Sequence, residues 1–87
     1  MKRYKYALGL WEMLAYARHD HYKKFQGLLP KRFEMHPANW SELCMDERIR
    51  YMILDPKNPK LMGVSVVVDA QAKRLKMITA DNNVEYL

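Results

Sequence analysis

Cysteine is almost missing from this sequence. Its 87 residues contain one, Cys44, which excludes an internal disulfide and fits a reducing compartment. Read on its own, Cys44 is a small buried hydrophobe. Glycine is nearly as scarce, at three residues, too few to build much of a phosphate-cradling loop. Serine occurs only at Ser41 and Ser65. Neither lies in a nucleophile-elbow pattern: Ser41 opens an expected helix, where serine is favoured for backbone reasons, and Ser65 sits inside a valine run. No apolar stretch approaches the ~18 residues of a membrane-spanning helix. Met1-Lys2-Arg3 is not followed by the uninterrupted apolar core of a signal peptide.

These shortages leave a single domain over residues 1–87 of ordinary globular composition, 49% apolar and 29% charged. A chain this short buries only about 60–65% of its unfolded surface. Modest stability is expected, with a partner or a second copy completing the core.

Negative charge is what the first part of the chain lacks. Residues 1–36 hold Lys2, Arg3, Lys5, Arg18, Lys23, Lys24, Lys31 and Arg32 against Glu12, Asp20 and Glu34, an excess of five, while residues 37–87 balance at seven and seven. Seven of the ten aromatics share the basic part: Tyr4, Tyr6, Trp11, Tyr16, Tyr22, Phe25 and Phe33. Such a segment attracts nucleic acid, an anionic membrane surface or an acidic protein. A core helix with a solvated basic rim produces the same pattern.

The periodicity predicts one helix over residues 4–26. Tyr4, Leu8, Trp11, Ala15 and Tyr22 recur at three- and four-residue steps, and Ala7, Leu10, Met13 and Ala17 widen the apolar face until the middle is apolar nearly all round. A helix of that kind is mostly covered. Gly9 inside it marks a close backbone approach. Gln26-Gly27-Leu28-Leu29-Pro30 is the stop signal, with Gly27 left-handed, Leu28 folding back toward Tyr22 and Pro30 blocking continuation. Phe33 and Met35 then alternate with charge, as in a brief strand. Asn39-Trp40-Ser41-Glu42 has the form of a capping box, which predicts a second helix from there to about Arg50 with Trp40, Leu43 and Cys44 inward. Residues 48–54 also alternate like a strand.

The final third reads as β. Leu61 to Asp69, with four valines in five positions, is a strand because branching at Cβ suits a pleat; so apolar a strand predicts cover on both faces. Leu75–Thr79 and Val84–Leu87 follow. Ala70–Lys73 is expected to close an antiparallel hairpin, and Asp81-Asn82-Asn83 to form a turn. The expected class is α+β: a long N-terminal helix and a short second helix packed on a C-terminal antiparallel sheet of three or so strands.

Catalytic and metal-binding groups do not converge. His19-Asp20-His21 is the one metal-like cluster, yet residues two apart on a helix diverge too far to grip one ion. Both histidines are expected in solvent near the helix end, and His36 would join them only through tertiary folding. No enzyme activity, metal or cofactor is expected.

Phe33-Glu34-Met35-His36-Pro37-Ala38-Asn39-Trp40-Ser41-Glu42-Leu43 is similar to the "hydrophobic, Pro, x, x, Trp, x, x, Leu" segment of tailed-phage major capsid proteins. In that family the segment follows a long helix and precedes a strand of the form Leu-x-Gly-x-Pro-Val-Val. Leu61-Met62-Gly63-Val64-Ser65-Val66-Val67-Val68 resembles that strand, with Ser65 in place of the proline. The resemblance covers about residues 5–80. It implies a stand-alone version of the peripheral-domain spine helix and sheet, since 87 residues leave no room for the arm, loop and axial domain of a whole subunit.

Three functions follow as expectations. The first is a non-enzymatic protein-binding module, phage-encoded and acting in the host cytoplasm on a virion or host protein. Tyr4, Trp11, Tyr16 and Arg18 are its candidate anchors, being residue types that dominate interfaces. The second is a nucleic-acid binder whose phosphate contacts come from Lys2, Arg3, Lys5, Lys23, Lys24, Lys31 and Arg32. The third is a self-associating structural protein, a homo-oligomer.

Overall fold

A computed structural model describes residues 9–47, 57 and 59–87. Leu10–Lys24 form α1, Arg32–Met35 β1, Pro37–Cys44 α2, Lys60–Leu61 β2, Val64–Val68 β3, Lys76–Ile78 β4 and Val84–Tyr86 β5. The expected α+β class holds: α1 and α2 pack with one sheet. The sheet is five-stranded and mixed, in the order β2-β3-β1-β4-β5. It is therefore larger than the expected three-stranded antiparallel meander.

The brief strand at Phe33 and Met35 is its centre. β1 runs parallel to β3, with Phe33 opposite Val66, and antiparallel to β4, with Phe33 opposite Met77. Phe33 and Met35 are fully buried, and strand alternation sends Arg32 and Glu34 to the other face. Because β1 lies between β3 and β4, residues 70–73 close no hairpin. The connection from Asp69 to Leu75 instead crosses over the end of β1, where the Asp69 amide donates to the Met35 carbonyl at 2.9 Å. Two strand spacings are about 10 Å, well within its reach.

The valine run is also divided. Met62 and Gly63 take positive φ, 53° and 81°, as a two-residue turn of the primed type demands. β2 and β3 are thus a tight hairpin with Leu61 opposite Val64. Only one face of β3 is covered: Val64 and Val66 are buried, whereas Val67 is 43% exposed.

α1 starts later than its periodicity implied. Gly9 is its N-cap in extended conformation, and the Met13 amide makes the first helical bond to the Gly9 carbonyl. Residues 4–8 lie outside the described residues. The helix buries one stripe, Met13, Leu14, Ala17 and His21, and leaves Tyr16 and Tyr22 exposed. Its end is a Schellman arrangement: the Gly27 amide reaches the Tyr22 carbonyl at 2.8 Å, with both Gln26 and Gly27 at positive φ. The Leu28 side chain is exposed.

α2 begins two residues before the expected cap. Pro37 occupies the first turn, where its fixed φ is pre-organised, and the His36 Nδ1 caps by accepting the Ala38 amide at 3.0 Å. Leu43 is buried, and Trp40 packs against the core. α2 ends at Cys44 with Met45 as C-cap. The helix-or-strand alternative for 48–54 lies outside the described residues.

Candidate functional site

The described basic residues of the first part of the chain belong to α1, β1 and the segment between them. Lys23 and Lys24 occupy the last turn of α1, where cations complement the helix dipole, and the Lys24 ammonium sits 5.7 Å from the Phe25 ring. Lys31 donates to the Asn82 side chain. Arg32 points from β1 to the face of the sheet opposite α1, where it pairs with Glu34. Of the expected anchors, Tyr16 is exposed and Trp11 packs against the core. The Arg18 Nε donates to the Met62 carbonyl at 2.8 Å and ties α1 to the β2–β3 turn. Lys2, Arg3, Tyr4 and Lys5 lie outside the described residues.

The histidines are divided among three environments. His19 is exposed, His36 caps α2, and His21 is turned into the core at 2% exposure. The expectation of two solvent-facing imidazoles is therefore corrected at His21. Its position on the Met13–Leu14–Ala17 stripe of α1 aims it at the sheet. The Ala80 amide donates to Nε2 at 3.0 Å, so Nε2 carries no proton; Nδ1 must then hold it and donate to the Leu28 carbonyl, also 3.0 Å away. The ring stacks on Phe25 at 4.3 Å. His21 thus fastens the end of α1 to the β4–β5 connection. Among the described residues, no group of three His, Cys, Asp or Glu is placed to hold a metal.

That connection is fastened internally as well. The buried Thr79 hydroxyl donates to Asp81 Oδ1 and accepts the Asn83 amide at 3.0 Å, while Asn83 Nδ2 donates to Asp81 Oδ2 at 3.0 Å. The hydrogen bond from Thr79 holds the Asp81 carboxyl below its ordinary value, with further backbone and Asn83 donors adding to the effect.

The second face of the sheet is exposed at Ser65, Val67, Val84 and Tyr86 and buried at Ile78. Ser65, Arg32, Ile78 and Val84 form one row across the strands, and Val67, Glu34, Lys76 and Tyr86 the next. Glu34 lies between two cations, 2.5 Å from Arg32 Nε and 3.5 Å from Lys76 Nζ. Val67, Val84 and Tyr86 are exposed around this ionic centre. At one end, beside the Asp69–Leu75 connection, a cleft of about 500 Å³ is lined by Asp69, Lys73, Arg74, Lys76 and Tyr86 among others. There the Arg74 guanidinium lies over the Tyr86 ring, 4.6 Å from its centroid.

No family model, no curated protein and no solved structure matches this chain.

The face was hard to read from sequence because its members come from four strands that lie far apart in the chain. The one available signal was the alternation of β1, where Arg32 and Glu34 are out of phase with Phe33 and Met35. No helix among the described residues is long and apolar enough to cross a membrane.

Proposed function

We propose that this protein is a small non-enzymatic protein-binding module whose contact surface is the open face of the sheet. The observation that carries the reading is the pattern on that face: apolar Val67, Val84 and Tyr86 surround a fixed Arg32–Glu34–Lys76 group. Apolar area supplies affinity and the ionic group supplies register, the usual division of labour in an interface. Two of the three imidazoles, at His21 and His36, are committed to backbone hydrogen bonds, which favours a binding role over general acid–base chemistry. The molecule measures 30 × 26 × 26 Å. A standard interface takes about 800 Å² from each partner, so one whole side of this domain would be used. The capsid-type wording of residues 33–43 and 61–68 supports a phage-encoded accessory or inhibitor acting on a virion or host protein.

Affinity capture from a nuclease-treated extract of the native cell, comparing the wild type with a Val67→Arg/Val84→Arg variant, tests the reading. Both positions are exposed, so the variant should stay folded. A partner identified by mass spectrometry should bind the purified wild type at least about tenfold more tightly than the variant, as loss of a buried apolar contact predicts. Equal binding of the two removes the face from the function. Capture that disappears with nuclease treatment transfers the reading to nucleic acid.

A further inference from the structure

We propose that the cleft between the Asp69–Leu75 connection and β5 receives an acidic, extended segment of the partner protein, with a carboxylate held by Lys73 and Arg74 beside the Tyr86 ring. The inference rests on the reading of the open face as a protein contact and names the chemistry of what lies there. Lys73, Arg74 and Lys76 line the cleft against one carboxylate, Asp69. Asp69 is already used: its Oδ1 accepts the Gln71 amide at 2.9 Å and closes the turn. Among the described residues, no carboxylate pairs with Lys73 or Arg74. Lys76 keeps Glu34 at 3.5 Å, and an ammonium with three donors can serve a second acceptor.

Arg74 is set up for this task. Its guanidinium carbon lies over the Tyr86 ring, 4.6 Å from the centroid, which restrains the side chain and leaves N–H groups for a bidentate carboxylate. Part of the ordering cost of binding is thus met before the partner arrives. The same contact argues against a nucleic-acid strand. One side of the Tyr86 ring is covered by Arg74, and Val67 and Val84 offer no surface on which bases stack. Aliphatic side chains alternating with carboxylates match the face better.

The test uses the full chain and fluorescein-labelled peptides of about ten residues, long enough to cross the sheet as an extended strand. One alternates Glu with Val, a second alternates Gln with Val, and an oligothymidine is the third probe. Anisotropy is read at about 50 and 200 mM salt, where charge-driven binding separates from the rest. The Glu peptide should bind, weaken at the higher salt and exceed the Gln peptide by about tenfold. Lys73→Ala and Arg74→Ala should each cost about three- to fivefold, the range of an exposed ion pair, with circular dichroism unchanged. Equal binding of the Glu and Gln peptides, an unaffected Lys73→Ala/Arg74→Ala variant, or tighter binding of the oligothymidine overturns the proposal. Failure of the underlying reading looks different: the identified partner then binds without regard to Val67 and Val84. A partner that needs those valines but ignores Lys73 and Arg74 sinks the cleft alone.

Discussion

Replacing His21 with alanine should cost this protein much of its stability. The imidazole links two backbone groups that have no other partner among the described residues, the Ala80 amide and the Leu28 carbonyl. Each orphaned group costs about 1–3 kcal/mol, and the low end applies here because Leu28 lies at the surface, where water can help. Removing the ring from its place against Phe25 adds about 2 kcal/mol of lost burial and cavity. The sum is about 4 kcal/mol, against total stabilities of about 5–10 kcal/mol for a domain of this size. Urea unfolding followed by fluorescence of Trp11 and Trp40, both packed on the core, reads this directly. With a slope near 1.5 kcal/mol/M, the midpoint should fall by about 2.5 M. His21→Gln places an acceptor near the former Nε2 and should recover about a quarter of the loss, since it restores the Ala80 bond and not the stack. Nitrogen NMR of the wild type should find Nδ1 protonated and Nε2 bare. A His21→Ala protein within about 1 kcal/mol of the wild type, or the opposite tautomer, refutes the clamp.

Gly63→Ala should destabilise by about 1–2 kcal/mol through backbone strain, because φ is +81°. Among the described residues a Cβ there meets Leu29 Cδ1 alone, at 3.5 Å, an ordinary contact, so a much larger loss in thermal unfolding contradicts strain as the cause. The Asp81 carboxyl, held below its usual value by the Thr79 hydroxyl, contributes stability above the unfolded carboxylate range of about 3.9. That contribution should fade as pH falls through the lower, folded value. Thr79→Val should raise the titration midpoint of Asp81 followed by carbon NMR; an unmoved midpoint contradicts the assigned hydrogen bond.

How far the fold could be read in advance depended on how local its causes are. The end of α1 was visible in Gln26-Gly27-Leu28, since a Schellman end is written in adjacent residues. Its start was not: the apolar repeat runs past Gly9, and only the extended backbone there shows where the helical bonds begin. The Asp81-Asn82-Asn83 turn was likewise local. His36 was missed as a cap because histidine is an uncommon choice there, and the capping-box wording at Asn39 offered a competing start. Leu61–Val68 read as one strand because all but the Met62–Gly63 pair suits a pleat. The hairpin inside it follows from two positive φ values, one of them at a methionine, against its ordinary preference.

Alternation, apolar spacing and turn chemistry were enough to establish an α+β chain with helix first and strands last, because each acts over a few neighbours. Strand order was decided elsewhere. Placing β1 between β3 and β4 buries Phe33 and Met35 completely, a gain that exists only once residues more than thirty positions apart meet. The same meeting turns His21 from an exposed histidine into a clamp. It also gathers Arg32, Glu34, Val67, Lys76, Val84 and Tyr86 on one open face. Local propensities cannot register such a surface, since the energy that assembles it is paid in the buried layer beneath.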